Sequence, residues 1–187
     1  MFEIEMKAWV DDPVALKNKL LQIGEYLGKT EKNDSYWSLP GMNGNISDRK
    51  FRIREEDGIH TVTYKEKTVS GGMEVNQETE FHVSSSEDFI ILMEQAGCSP
   101  LYQKHKTSEK YRVGRCLTEM VLIEGLGQFI EIEILSENNR PETIVHARNE
   151  LFAVLDACGI ARSSIESRFY SDLLAHADIS RRADEVR

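Results

Sequence analysis

The sequence lacks any long hydrophobic run. No stretch of its 187 residues approaches the roughly 18 consecutive apolar residues of a membrane span, so no transmembrane helix is expected. The first residues alternate apolar and charged side chains. They do not form a basic segment followed by an apolar one, so no secretory signal is expected either. Cysteine is scarce. Cys98, Cys116 and Cys158 are odd in number and far apart, with no Cys-x-x-Cys and no Cys/His cluster. That spacing argues against a structural zinc site and suits reduced thiols in the cytoplasm. Positive charge is in deficit: 23 Lys and Arg against 32 Asp and Glu leave a net charge of −9. A nucleic-acid backbone is therefore not the expected partner. No internal repeat, linker or low-complexity tract is visible, and the length suits one domain with an adequate core.

What is present is charge in alternation. Met1 to Lys7 places Glu3, Glu5 and Lys7 on one strand face, with Ile4 and Met6 on the other, because alternate side chains of a strand share a face. Alone, such a stretch is an ordinary antiparallel strand with one wet face. The pattern recurs, however, at Arg52/Arg54, Lys65/Lys67, Glu78/Glu80, Lys104/Lys106 and Glu131/Glu133. Like charges side by side on a sheet repel. A sheet built for stability alone would mix the signs. Here they are sorted within each strand, which suits a site that binds both cations and a polyanion.

The remaining signals place these pairs on elements. Asp11-Asp12-Pro13 starts a helix, with an Asp cap and Pro at the first position; it is expected to run to about Leu27. A short aromatic strand is expected over Asn33 to Ser38, then a polar loop from Leu39 to Asp48. Phe51 to Arg54 and Ile59 to Lys67 form a hairpin around Asp57-Gly58. A second loop is expected over Thr68 to Asn76, around Gly71-Gly72. Gln77 to Val83 reads as a strand. A helix with Phe89, Leu92, Met93 and Ala96 on its packed side stops at Gly97. Tyr102 to Val113, Cys116 to Glu124 and Phe129 to Leu135 read as strands. Pro141 opens the longest helix, to about Cys158, with Ile144, Val145, Leu151, Val154 and Leu155 as its buried stripe. A last helical stretch covers about Ser164 to Ala175. Gly125-Leu126-Gly127 precedes a strand and lacks a third glycine, so it is a turn and not a dinucleotide fingerprint.

The helices carry enough apolar surface to cover the outer face of such a sheet. Its charged face would then look inward, and a sheet closed on itself would enclose a polar lumen. Buried charges need partners. Carboxylate oxygens suit Mg²⁺ or Mn²⁺, and forked guanidinium groups suit phosphate. The residues alone thus point to a barrel that holds a metal-bound polyphosphate.

Glu3-x-Glu5-x-Lys7 resembles the signature of the CYTH superfamily, the triphosphate tunnel metalloenzymes, which include class IV adenylyl cyclases, thiamine triphosphatases and inorganic triphosphatases. The likeness continues in order through Phe51-Arg52-Ile53-Arg54, Thr63-Tyr64-Lys65-Glu66-Lys67, Glu78-Thr79-Glu80, Lys104 to Lys106 and Gly125 to Glu133. The ending Ser167 to Leu174 is similar to that of the class IV cyclase branch. The resemblance implies an α+β fold: an eight-stranded antiparallel barrel with flanking helices over residues 1–176, followed by a charged tail, 177–187. It implies metal ligation by Glu3, Glu5, Glu131 and Glu133. Glu119 is a further candidate, on a strand where the family often carries Asp. It implies triphosphate contacts at Lys7, Arg52, Arg54, Lys65, Lys67 and Lys104 or Lys106, with Glu78 and Glu80 at acidic tunnel positions. Glu3, Glu5 and Lys7 are the expected catalytic set. The implied activity is conversion of ATP to cyclic AMP and pyrophosphate with Mg²⁺ or Mn²⁺. The alternatives are hydrolysis of inorganic triphosphate, thiamine triphosphate or a nucleotide, and a non-catalytic polyphosphate or nucleotide sensor. A homodimer is the expected assembly.

Overall fold

The computed structural model describes residues 1–40, 50–70 and 73–185; the side chains of 67–70 and 178–185 lie outside that description. The chain runs β1 (Phe2–Trp9), α1 (Pro13–Ile23), β2 (Glu25–Ser38), β3 (Lys50–Glu56), β4 (Ile59–Ser70), β5 (Met73–Val83), α2 (Ser86–Gln95), β6 (Ser99–Val113), β7 (Cys116–Ile123), β8 (Gly127–Ser136), α3 (Pro141–Ala157), a short 3₁₀ turn (Arg162–Ser164) and α4 (Tyr170–Glu185). The eight strands close into one barrel in the order β1-β5-β4-β3-β2-β6-β7-β8, and every pairing is antiparallel. Closure leaves no edge strand exposed.

Period-two alternation decides which side of the wall each residue takes. On β1 and β8 the outward residues Ile4, Met6, Ala8, Ile130, Ile132 and Ile134 are buried. They form the main core with Leu16 and Leu20 of α1 and Ala147, Leu151 and Leu155 of α3. Full burial of an aliphatic side chain is worth roughly 1.5–3 kcal/mol, so this layer anchors the two strands that carry the first and last glutamate pairs. On the opposite side, Trp37, Phe51, Ile53 and Val62 pack under Phe89, Ile90 and Met93 of α2. Leu92 and Val145, expected in packed stripes, are instead exposed, because each lies about 100° round its helix from the residues that touch the barrel.

Several boundaries differ from the sequence reading. The first helix ends at Ile23 because Gly24 turns extended and joins β2. A side chain at Gly24 would meet Arg112 O at 3.0 Å and Val113 Cγ2 at 2.9 Å, so the chain there approaches β6 too closely for any other residue. β2 therefore starts eight residues before the expected aromatic stretch. The expected loop over 68–76 is mostly strand: β4 and β5 pair as far as Ser70 and Met73, with only 71–72 outside the described residues. Most of the expected loop over 39–48 also lies outside them. The last helical stretch divides into the 3₁₀ turn and α4, which continues past the position expected to begin a tail.

One end of the lumen is filled. Val121 and Ile123 share the face of β7 that carries Glu119, and Phe129 shares that of Glu131. With Leu173 these residues form a separate apolar cluster, against which Trp9 and Tyr170 pack. The start of α4 thus closes this end, and the polar cavity lies beyond it. No helix among the described residues is long and apolar enough to cross a membrane.

Candidate functional site

The inward faces enclose a cavity of about 580 Å³, within the range of sites that hold small organic ligands. Glu3, Glu5, Lys7, Arg52, Arg54, Lys65, Glu78, Glu80, Lys104, Lys106, Glu119, Glu131 and Glu133 all line it. Of the residues expected from the sequence, only Lys67 has its side chain outside the described set; its backbone pairs with Asn76 in β4–β5.

The strand order separates the charges. In a ring of eight, β1 lies opposite β2, and β8 lies opposite β3. Glu3, Glu5 and Glu133 therefore occupy one wall; Arg52 and Arg54 come from β3, opposite β8, and Lys104 and Lys106 come from β6, two strands round from β8. Glu5 and Glu133 are direct cross-strand neighbours. One carboxylate oxygen each from Glu3, Glu5 and Glu133 lies within 4.8 Å of the others. Burial first, and then the Glu5 carboxylate, push Glu3 up to about 9 despite the nearby Lys65. The same two causes raise Glu133 to about 7. Three converging oxygens with more negative charge than their surroundings neutralise fit a hard divalent cation.

Glu119 and Glu131 are not part of that cluster. Glu131 lies two residues along β8 from Glu133, opposite Lys7, Glu119 pairs with it from β7, and Lys106 bonds both. Lys32 also reaches Glu119, at 3.2 Å, and the Tyr170 hydroxyl donates to Glu131 at 2.7 Å. Burial would raise both carboxyls, but Lys106 outweighs it and holds both below the usual range. The five-carboxylate ligand set expected from the sequence thus resolves into three oxygens that converge and two carboxylates that lysines already neutralise.

The other cations are held similarly. Lys7 pairs with Glu74 at 2.8 Å and lies 5.4 Å from the centre of the Tyr170 ring. Lys65 bonds Glu3 at 2.8 Å and also Glu78. Arg52 donates to Thr63 at 2.8 Å and to Glu80 at 3.4 Å, while its Nε is buried with no hydrogen-bond partner among the described residues. A buried guanidinium donor without an acceptor is costly, and a phosphate oxygen in the lumen would satisfy it.

Sequence reasoning missed Lys32 and Asp34 on β2, which with Tyr36 make a triplet, Glu74 on β5, Tyr102 on β6 and Tyr170 on α4. The β2 triplet does alternate, but its signs are mixed, so a search for like-charged pairs passes over it. Tyr36 and Tyr102 stack with ring centres 4.4 Å apart.

The raised carboxyls make a pH prediction. In the folded, metal-free protein Glu3 keeps its proton up to about pH 9 and Glu133 up to about 7, whereas the unfolded chain loses both near the ordinary value of 4.5. The folded state binds more protons across that window, so stability falls as pH rises. Asp34 and Glu119 are held low; their contribution is lost only as pH falls below the usual carboxylate range, so it does not oppose this slope. The metal-free protein should melt at a lower temperature at pH 7.5 than at pH 5.5. Saturating Mn²⁺ or Glu3→Gln should remove most of the difference. Scanning calorimetry at the two pH values checks this; a rising melting temperature would contradict the assignment.

A family model, the CYTH domain, matches residues 1–170. The chain belongs to the CYTH family. A Methanocaldococcus jannaschii protein provisionally named an adenylate cyclase is 26% identical over 175 residues, covering 92% of this chain and 98% of its own. Among solved structures, a Pyrococcus horikoshii protein superposes with a TM-score of 0.80 at 26% identity, covering 93% of this chain and 98% of its own. A Hippeastrum protein, described as a candidate adenylyl cyclase with a dominant triphosphatase activity, superposes with a TM-score of 0.63 at 16% identity, covering 89% and 90%. At that identity the last likeness concerns the fold alone. The closed barrel with flanking helices is the CYTH triphosphate tunnel. Enzymes of this family bind triphosphates and use divalent metals.

Proposed function

We propose that this CYTH protein is a metal-dependent adenylyl cyclase of class IV type, which converts ATP to cyclic AMP and pyrophosphate. One observation carries the reading: Glu3, Glu5 and Glu133 converge on one wall of a closed lumen, Arg52 and Arg54 face them from β3, and Lys104 and Lys106 enter the same lumen from β6. The three glutamates would hold Mg²⁺ or Mn²⁺. When bound, the cation offsets the carboxylate charge and supplies Lewis acidity for the attacking hydroxyl.

The rest falls to the chain's own side chains. The arginines and lysines bind the β- and γ-phosphates; Lys65 and Lys67 join them from β4. The 3′-hydroxyl of the ribose gives up its proton to water as its oxygen attacks the α-phosphorus, and the bond to the pyrophosphate oxygen breaks. Charge then grows on the leaving group, where preorganised guanidinium and ammonium groups stabilise it most. Glu78 and Glu80 keep Lys65 and Arg52 in place, and Glu119 and Glu131 do the same for Lys106. No side-chain nucleophile is required. The ending Ser167 to Leu174 and the name of the Methanocaldococcus relative support the cyclase. A cavity of about 580 Å³ suits a ligand of nucleotide size. Three free, buried thiols suit the reducing cytoplasm.

The same cation wall would serve a hydrolase, with water attacking the terminal phosphorus, and the Hippeastrum protein's description keeps that second reading in view. Purified protein with Mn²⁺, offered ATP and inorganic triphosphate separately, distinguishes the two. Cyclic AMP and pyrophosphate should form from ATP in equal amounts, with little orthophosphate. Orthophosphate as the main product from either substrate would favour the hydrolase.

A further inference from the structure

Asp34 shares the inward face of β2 with Lys32 and Tyr36 and is covered there by Arg54 and Lys104. Its side chain is fully enclosed, and it does not line the cavity that Arg54 and Lys104 line. In the sheet it sits directly between them, opposite Arg54 on β3 and Lys104 on β6. Arg54 grips it with two hydrogen bonds, Nε to Oδ1 at 2.7 Å and Nη2 to Oδ2 at 3.0 Å. Lys104 Nζ lies 3.1 Å from Oδ2 and also donates to the Tyr36 hydroxyl at 3.2 Å. Burial alone would raise the Asp34 carboxyl; Lys104 and Arg54 outweigh it and hold it well below the usual range.

Two cations from different strands would repel and splay if nothing joined them. A buried carboxylate gripped along one guanidinium edge fixes the plane of Arg54, leaving Nη1 for a further acceptor. It also brings the Lys104 ammonium beside that plane. We propose that Asp34 is a positioning residue that locks Arg54 and Lys104 into one two-armed cradle for a phosphate group of the triphosphate. This rests on the proposed function of the lumen. Asp34 also opposes an incoming anion by its charge. Fixed bidentate geometry outweighs that opposition, because Asp34 is already neutralised by two cations while the cradle depends on their directions.

Calorimetric titration of the metal-free protein with inorganic triphosphate tests this. The set is wild type, Asp34→Asn, Arg54→Lys and the double variant. Wild type should bind. Asp34→Asn and Arg54→Lys should each weaken binding by about ten-fold or more, since each loses the charge-assisted fork. The double variant should bind within a few-fold of the weaker single variant, because both changes break one clamp. A merely structural Asp34 would lower the melting temperature and leave the affinity of the folded fraction unchanged. Should Asp34→Asn not fold, Arg54→Lys keeps both charges and still reads the clamp. Wild-type affinity in Arg54→Lys, unchanged or tighter binding in Asp34→Asn, or losses that multiply in the double variant would overturn the inference alone. Absence of binding by wild type would overturn both it and the reading of the lumen.

Discussion

Glu5→Gln should lose Mn²⁺ affinity by at least about ten-fold, judged from the effect of lesser changes around metal sites. Its turnover should fall by about a thousand-fold or more, because Lewis-acid assistance is worth several kcal/mol and each 1.36 kcal/mol is a factor of ten. Glu5 is the natural choice, since it is the cross-strand neighbour of Glu133 and the leading charge that raises both Glu3 and Glu133. Its amide would relieve that repulsion, so the metal-free variant should be no less stable than wild type. Glu131→Gln makes the contrast. Its carboxylate already serves Lys106 and Tyr170, so Mn²⁺ affinity should change by no more than a few-fold, although activity should suffer through Lys106. Metal titration of both variants by electron paramagnetic resonance reads the difference directly. Equal losses of Mn²⁺ affinity would place Glu131 among the ligands; near-normal turnover of Glu5→Gln at limiting metal would remove Glu5 from them.

The fold was legible where the backbone's own period carried the information. Each like-charged pair two residues apart has its described side chains in the lumen, because a strand turns alternate residues to the same side whatever its neighbours do. Apolar partners such as Ile4, Met6, Ile132 and Ile134 met the helices for the same reason. The partnerships inside the lumen were not legible. Which carboxylate meets Lys7 or Lys106 depends on the stagger of strands far apart in sequence, such as β1 with β5 and β6 with β8, and no local pattern encodes it. Glu74 and Asn76 were hidden because Gly71-Gly72 suggested a longer loop than the strands leave. Asp34 was hidden because a single carboxylate among mixed charges carries no pattern. Tyr170 was hidden because helical spacing reports what packs against a neighbour, not that its hydroxyl reaches Glu131.

The second large effect concerns the nucleophile. The cation wall binds phosphates in a cyclase and in a hydrolase alike, so substitutions at Arg54 or Lys106 would damage both activities and separate nothing. The attacking oxygen differs: the ribose 3′-hydroxyl in a cyclase, water in a triphosphatase. ATP without its 3′-hydroxyl keeps the triphosphate, the metal contacts and the base. The most direct measurement is therefore the rate of phosphate and pyrophosphate release from 3′-deoxy-ATP, beside that from ATP, with the same protein and Mn²⁺. A cyclase should bind the analogue with near-ATP affinity, as seen by competitive inhibition, and release no product from it above background. Orthophosphate released from the analogue at the ATP rate would contradict the cyclase and assign the tunnel to hydrolysis.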